Sequence, residues 1–427
     1  MITIYTERES PRLAFSCKHI FCNVLGHELR ITTDPNQRAD IRYATEKSDD
    51  TLTIAPHGLL FETDIKKQTV TATQWEGLTA LFPTNGDIPF DIFSATFYLL
   101  SRYEEYTAEK RDGHGRFVVE ESAAYQLGFL EEPLIDQWAH LLLSRLKEVG
   151  DAEHPKRYTF IPTVDVDNVF AFRNHGLLQT AYCLLRDKIK GREQLFHLRL
   201  NAVLRKQEDP YFNLQEVADM HQGLSEKPMF FYHCGCFGKR DKRATLPSRR
   251  YKKIRQKLES QVISGLHPSY NSSTQWWRFR LENCALKHCL GKKNTEHCRF
   301  HYLRFTLPDT YERLISEGFQ TDWSLCYSND PGFRASTSFP FHFYNLERNE
   351  ERPLLLYPTA VMDKSLRNNL KLSLSESEAY ILRLSERVKA VNGNFITLFH
   401  NEHLTDEMEW KGWKDLYQRV IDGMKTK

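Results

Sequence analysis

From residue 156 onward, short apolar runs alternate with longer helical patterns, and this alternation restricts the fold more than any other feature of the chain. The runs fall at 158–164, 177–190, 228–233, 250–260, 262–267, 299–305, 308–317, 320–327, 354–359, 375–391 and 394–400. Strand–helix alternation over about 270 residues predicts a parallel α/β fold, with a (β/α) barrel as its closed form. In such folds the polar site residues sit at the C-terminal ends of strands. The first 150 residues have a different texture. Leu29-Arg30-Ile31-Thr32, Thr51-Leu52-Thr53-Ile54 and Val70-Thr71-Ala72-Thr73 are strand-like runs between polar turns. Helical patterns follow from Phe90 to Tyr106 and from Pro133 to Val149. The small, polar stretch Gly150 to Pro155 separates the two textures. A chain of 427 residues has room for two domains. The expected organisation is an α+β domain at 1–150 and an α/β barrel at 156–427.

The apolar run that begins at Tyr158 ends in Thr163-Val164-Asp165-Val166-Asp167. Residues i and i+2 of a strand share a face, so Asp165 and Asp167 point into one site. Two carboxylates that close repel unless a cation or a shared proton relieves the charge. This stretch alone leaves two readings open: a metal-assisted site, or a strand-end turn whose acids cap the next helix. Later runs also close on polar residues. Gly265-Leu266 leads to His267-Pro268-Ser269-Tyr270-Asn271, and Arg299 to Phe305 contains His301 and Arg304. Asp322 stands in Thr321-Asp322-Trp323-Ser324, and Phe395 to Phe399 ends in His400-Asn401. Each is weak alone; their recurrence after an Asp-x-Asp strand points to one site. The glycine-rich Asp112-Gly113-His114-Gly115-Arg116-Phe117 is expected as a turn.

In order, Thr-x-Asp-x-Asp, Gly-Leu-His-Pro-Ser, His-Tyr-Leu-Arg-Phe with a later Pro, Asp-Trp-Ser and Leu-Phe-His-Asn resemble the NodB-type polysaccharide deacetylases. More closely, the chain resembles the branch of bacterial surface-polysaccharide clusters in which an α+β domain precedes the catalytic one. Phe90 to Tyr106 and Asp112 to Phe117 are similar to that branch as well. The resemblance implies a deformed (β/α) barrel with one divalent metal, zinc foremost, that hydrolyses the N-acetyl group of an amino sugar. It implies Asp165 as general base, Asp167 and His267 as metal ligands, Arg304 as the arginine holding the base, and His400 as general acid. Asp322 and Asp363 both remain open as the carboxylate that tunes His400. The acids here are separated by Val166, a mild departure. A second departure is Asn271, which stands where the family's metal motif has a second His. An Asn carbonyl is a poor zinc ligand, and His301 is the candidate replacement. Tyr270, Asn271 and Arg334, the last on a loop after Pro331-Gly332, are candidate substrate contacts. Trp276 and Trp277 could stack on sugar rings.

The chemistry supports such a set. An amide carbonyl is a poor electrophile, so a Lewis acid must polarise it and acidify the attacking water. Zinc takes His and carboxylate ligands and keeps a position open in catalytic sites. A nearby carboxylate can accept the water's proton, and a His can protonate the leaving amine.

A formal net charge of +2 excludes a grossly basic nucleic-acid binder. The basic segment Lys239 to Lys257 is either a solvated face or a mouth for an anionic sugar donor. The nine cysteines are odd in number and scattered, which predicts reduced thiols in a cytoplasmic protein. Cys234, Cys236, Cys284, His288, Cys289, His297 and Cys298 lack the paired spacing of a zinc ribbon. No apolar run reaches about 18 residues, and Met1 to Thr6 alternates like a strand rather than a leader. The expected partner is an N-acetylated saccharide, or a sugar-nucleotide or lipid-linked glycan precursor, with no nucleic acid and no membrane insertion. The alternative function is a catalytically silent protein of the same fold that binds or scaffolds carbohydrate.

Overall fold

The computed structural model describes the chain except for residues 147–148, 236–239, 242–256, 292–294 and 426–427. The chain forms two compact units, each assembled from separated stretches of sequence. One comprises Met1–Thr159, Arg304–Val361 and Arg383–Ile396; the other comprises Phe160–Leu303, Met362–Leu382 and Thr397–Lys427.

In the first unit, β1 (Ile2–Thr6), β2 (Leu29–Thr32), β3 (Ile41–Tyr43) and β4 (Leu52–Ile54) align in the order β2-β1-β3-β4, all parallel. The inner strand β1 is buried throughout, as a parallel strand covered on both faces must be. Helix Pro11–Cys17 follows it. Ser10 caps that helix by accepting from the amides of Arg12 and Leu13, and Pro11 stands in its first turn, where no amide donor is needed. β5 (Ala72–Trp75) and β6 (Leu78–Leu81) form an antiparallel hairpin. The helix expected over Phe90 to Tyr106 is two helices, Ile92–Leu100 and Tyr103–Thr107. The break is at Arg102, which takes the left-handed φ of 54°. This turn lets its buried guanidinium reach Glu104 at 2.6 Å and Glu105 at 2.8 Å. The last helix of this stretch, Leu134–Arg145, buries Trp138 and Leu142.

β7 (Thr159–Val166) leads into the second unit, followed by β8 (Met229–His233), β9 (Ile263–His267) and β10 (His297–Cys298). Consecutive strands of this set pair in parallel. Helices Leu177–Ile189, Glu193–Val203 and Leu214–Met220 lie between β7 and β8, and Trp276–Leu290 between β9 and β10. The chain then gives the first unit β11 (Thr321–Asp322), β12 (Phe341–Asn345) and β13 (Glu350–Leu356), with β13 parallel to β11 and antiparallel to β12. It returns through β14 (Val361–Met362) and β15 (Asn394–His400), with β15 beside β7. The fold is therefore mixed α/β around the ladder β10-β9-β8-β7-β15, whose pairings among the described residues form an open row.

The strand expected over 299–305 is corrected. Pairing stops at Cys298, because Tyr302 and Leu303 take left-handed angles (φ 62° and 52°) that no strand accommodates. His301–Leu303 is a short turn of 3-10 helix. Most of the expected run 250–260, most of the basic segment Lys239 to Lys257, and Cys236 lie outside the described residues. The eight described cysteines are free thiols.

Candidate active site

Register in the parallel ladder decides which side chains meet. Thr163 and Asp165 lie on one face of β7, and Asp167 follows just beyond its end. Because β7 runs between β8 and β15, its polar side chains are buried and must find partners. Thr163 Oγ1 donates to the Thr397 carbonyl at 2.6 Å and accepts from Arg299 Nη1 at 2.6 Å. The same Nη1 donates to Asp165 Oδ1 at 3.1 Å. One buried guanidinium thus holds two residues of the strand face. Arg299 is placed by its own amide, which donates to the Leu266 carbonyl at 3.0 Å, and its guanidinium lies 4.5 Å from the centre of the Phe231 ring. Gly265 makes room for that ring: a Cβ there would sit 2.6 Å from it.

Asp167, His267 and His301 each present a ligand atom, and these atoms all lie within 4.8 Å of one another. His267 Nε2 is 3.2 Å from Asp167 Oδ1, and His301 Nε2 is 3.6 Å from Asp167 Oδ2. The outer nitrogen of each ring is occupied. His267 Nδ1 is 2.6 Å from the Arg299 carbonyl, and His301 Nδ1 is 2.9 Å from Asp241 Oδ1. Both partners only accept, so each Nδ1 carries a proton and each Nε2 faces inward. The Asp167 and Asp241 charges favour a second proton on His301, whose Nε2 offers its lone pair once a cation displaces that proton. His267 Nε2 and Asp167 Oδ1 are buried and have no hydrogen-bond partner among the described residues. Facing lone pairs of imidazole and carboxylate, with the imidazoles anchored from behind, suit a divalent cation. The surroundings favour the charged carboxylate as well. Burial works against ionisation of Asp167, but the charge that His301 carries when protonated, the two rings and Lys364 together hold it well below the ordinary carboxylate range. Lys364 Nζ is 3.8 Å from Asp167 Oδ2.

A second cluster is built at the end of β15. His400 Nδ1 is 2.8 Å from Asp363 Oδ1, and the His400 amide donates to Asp363 Oδ2 at 2.8 Å. His403 Nδ1 is 2.7 Å from the same Oδ2. Burial would lower the pKa of His400, but the Asp363 charge outweighs it and raises that pKa above the ordinary value. His403 remains lowered, burial being the larger effect there. Of the two carboxylates left open by the sequence, Asp363 is the one on His400. Asp322 belongs to the first unit and accepts from the amide and hydroxyl of Ser324, each at 2.9 Å.

Other expectations change. The guanidinium on Asp165 is that of Arg299, while Arg304 lies past the turn and donates Nε to the His114 carbonyl at 2.8 Å. The arginine position is thus corrected by five residues along the chain, because the strand ends early. Arg334 is no exposed loop contact. It is buried in the first unit, donating to Glu105 through Nε at 2.9 Å and Nη2 at 2.7 Å and to the Cys326 carbonyl through Nη1 at 3.0 Å. Asn271 belongs to the turn Tyr270–Ser273, where its carbonyl accepts from Thr274 and Gln275. The Tyr270 amide donates to Asp241 at 2.9 Å, and its ring meets Tyr302 edge-on with centroids 5.2 Å apart. The turn expected at Asp112 to Phe117 is present, with Asp112 Oδ1 accepting from the amides of His114 and Arg116.

Sequence reasoning passed over Arg299, His233, Asp241, Lys364 and His403. His233 could have been found, since it closes the apolar run 228–233. It pairs with His267 in the register, its Nδ1 is 3.2 Å from the His267 carbonyl, and its Nε2 is buried with no hydrogen-bond partner among the described residues. Asp241 sits in a basic segment, where nothing marks it as a site residue.

Residues 2–151 match the model of a family of unknown function (DUF7033). No curated protein matches the chain. Among solved structures it is similar to a putative polysaccharide deacetylase from Mycobacterium smegmatis, at 11% identity and a TM-score of 0.42, over 64% of this chain and 85% of that one. It is also similar to PuuE allantoinase, at 9% identity and 0.41 over 64% and 85%. A third likeness is to a putative polysaccharide deacetylase involved in O-antigen biosynthesis from Bordetella bronchiseptica, at 12% identity and 0.34 over 62% and 81%. At such identities and scores these likenesses transfer no residue role to this chain.

Proposed function

We propose that this chain is a metal-dependent hydrolase that removes an N-acetyl group from an amino-sugar-containing glycan or glycan precursor. The observation that carries the reading is the pair of buried, facing lone pairs on Asp167 and His267, beside a separately anchored Asp165. Asp167, His267 and His301 would hold the ion. A divalent ion bound there would polarise the amide carbonyl and acidify the attacking water. Asp165, fixed by Arg299 and 3.7 Å from His267 Nε2, takes the proton from that water. His400, fixed and kept basic by Asp363, gives a proton to the leaving amine. The substrate class rests on the order of motifs along the chain and the family they resemble, as does the closure of the ladder into a barrel. A boundary near 150–155 is likewise a proposal, which limited proteolysis would check.

The test is release of acetate from oligomers of N-acetylglucosamine. Release should stop on treatment with a chelator and return with zinc. No release at any metal loading, or release indifferent to the chelator, would contradict the reading.

The pH dependence has a defined sign. His400 must be protonated to act as the acid, and its pKa is raised by Asp363. Activity should therefore persist above pH about 6.5, the ordinary histidine value, and fall as pH rises through the raised value. In Asp363→Asn the raising charge is gone and burial dominates. The alkaline limb of the kcat profile should then move to lower pH; an unmoved limb would remove Asp363 from the role of tuning His400.

A further inference from the structure

The loop after Asp167 leads into a helical hairpin, Leu177–Ile189 followed by Glu193–Val203. Its inner face is fixed by a buried ion pair: Arg199 Nε donates to Asp187 Oδ2 at 2.8 Å. The opposite face of the first helix is apolar and in water. Leu178, Tyr182, Leu185 and Ile189 follow one another at spacings of four, three and four, which puts them on one stripe. They are 89%, 65%, 61% and 76% exposed. A contiguous apolar stripe on a surface marks a contact.

Charge indicates which contact. Residues 177–206 hold seven Lys and Arg against two Asp and Glu, and one of those acids is the buried Asp187. Lys188, Lys190, Arg192, Arg205 and Lys206 are exposed around the hairpin. A second copy of the chain docked stripe to stripe would bring these cations together, which opposes self-association. Anionic headgroups match them, and an amphipathic basic helix is the pattern that lies in a membrane interface. Among the described residues no helix is long and apolar enough to cross a membrane, so this one would lie along the surface.

We propose that the hairpin docks the protein onto an anionic membrane surface. The two ends of the hairpin are pinned to each other at its base. The Asp209 carboxylate accepts from the amides of Ala171, Phe172 and Arg173 at 2.6, 2.9 and 3.0 Å. Arg173 also donates to the carbonyls of Ala202 at 2.7 Å and Gln207 at 2.6 Å. The first helix of the hairpin begins at Leu177, ten residues along the chain from Asp167. If the functional reading above holds, on which this step rests, docking brings the site to an amino-sugar glycan carried on a lipid.

The experiment is sedimentation of the full chain with vesicles of phosphatidylcholine containing about one third phosphatidylserine, and with vesicles of phosphatidylcholine alone. Binding is expected to the anionic vesicles, to weaken with salt, and to fall about 10-fold or more in Leu178→Ser/Leu185→Ser and in Lys190→Glu/Arg192→Glu. These side chains are exposed, so circular dichroism should show both variants folded. No sedimentation with anionic vesicles, or sedimentation equal in parent and both variants, overturns the proposal. So does a dimer in vesicle-free solution that the leucine variant abolishes. Hydrolysis is not read in this assay, so its failure and a failure of the enzymatic reading are distinguishable.

Discussion

Asp165→Asn is expected to cut acetate release by about 10²–10⁴-fold, the usual contribution of a general base, while the protein keeps its metal. Asparagine has nearly the same shape and can still accept from Arg299 Nη1, which holds Asp165 at 3.1 Å. What it cannot do is take a proton from water. Asp167, by contrast, lies 3.2 Å from His267 Nε2 and has the two histidine rings on its two oxygens. The two acids of one strand face therefore separate by measurement. Loss of activity with metal retained is the signature of the first, and loss of both that of the second. If Asp165→Asn emptied the site of metal, Asp165 would be a ligand and the base would have to be sought elsewhere.

The second large effect concerns stability and Arg334. Glu105 accepts from Arg334 at 2.9 and 2.7 Å and from Arg102 at 2.8 Å, and all three side chains are buried. Burial alone would push the Glu105 pKa up. The two guanidinium charges outweigh it and bring the pKa down to about 2. Glu105→Ala leaves two cations buried without their shared partner, a change expected to cost about 3–5 kcal/mol in unfolding free energy. Denaturant titration measures it. The sign of the pH effect follows. A carboxylate with a lowered folded-state pKa contributes stability that is complete above its ordinary value and is lost as pH falls through the folded value. The parent should therefore lose this increment in acid, and Glu105→Ala should lack it at neutral pH already. Arg334→Met should destabilise the fold with KM unchanged. A raised KM at unchanged stability would return Arg334 to the substrate.

Strand-end chemistry was legible because it depends on local pattern. The alternation that puts Asp165 and Asp167 on one face, and the apolar runs that close on His267 and His400, need only the two-residue period of a strand. The arginine on Asp165 was not legible at its correct position. Whether Arg299 or Arg304 ends the strand depends on the left-handed pair Tyr302 and Leu303, and neither residue type announces that conformation. Arg334 follows Pro331-Gly332 and looks like a loop residue. Its burial depends on Glu105, which is 229 positions away in the chain. Asn271 stands where the motif of the family the chain resembles has a His, and it belongs to the turn Tyr270–Ser273. The ring that faces Asp167 beside His267 is that of His301, and its orientation depends on Asp241 from another loop. The assembly of each unit from separated stretches of the chain is equally a matter of long-range contact within that unit.

The central claim is that Asp167, His267 and His301 form a metal centre, and metal analysis of purified protein tests it most directly. The parent should carry about one equivalent of a divalent metal, and Asp167→Ala and His267→Ala should each lose it, with His301→Ala binding more weakly than the parent. Stoichiometric metal in the parent that persisted in both Asp167→Ala and His267→Ala would contradict the account.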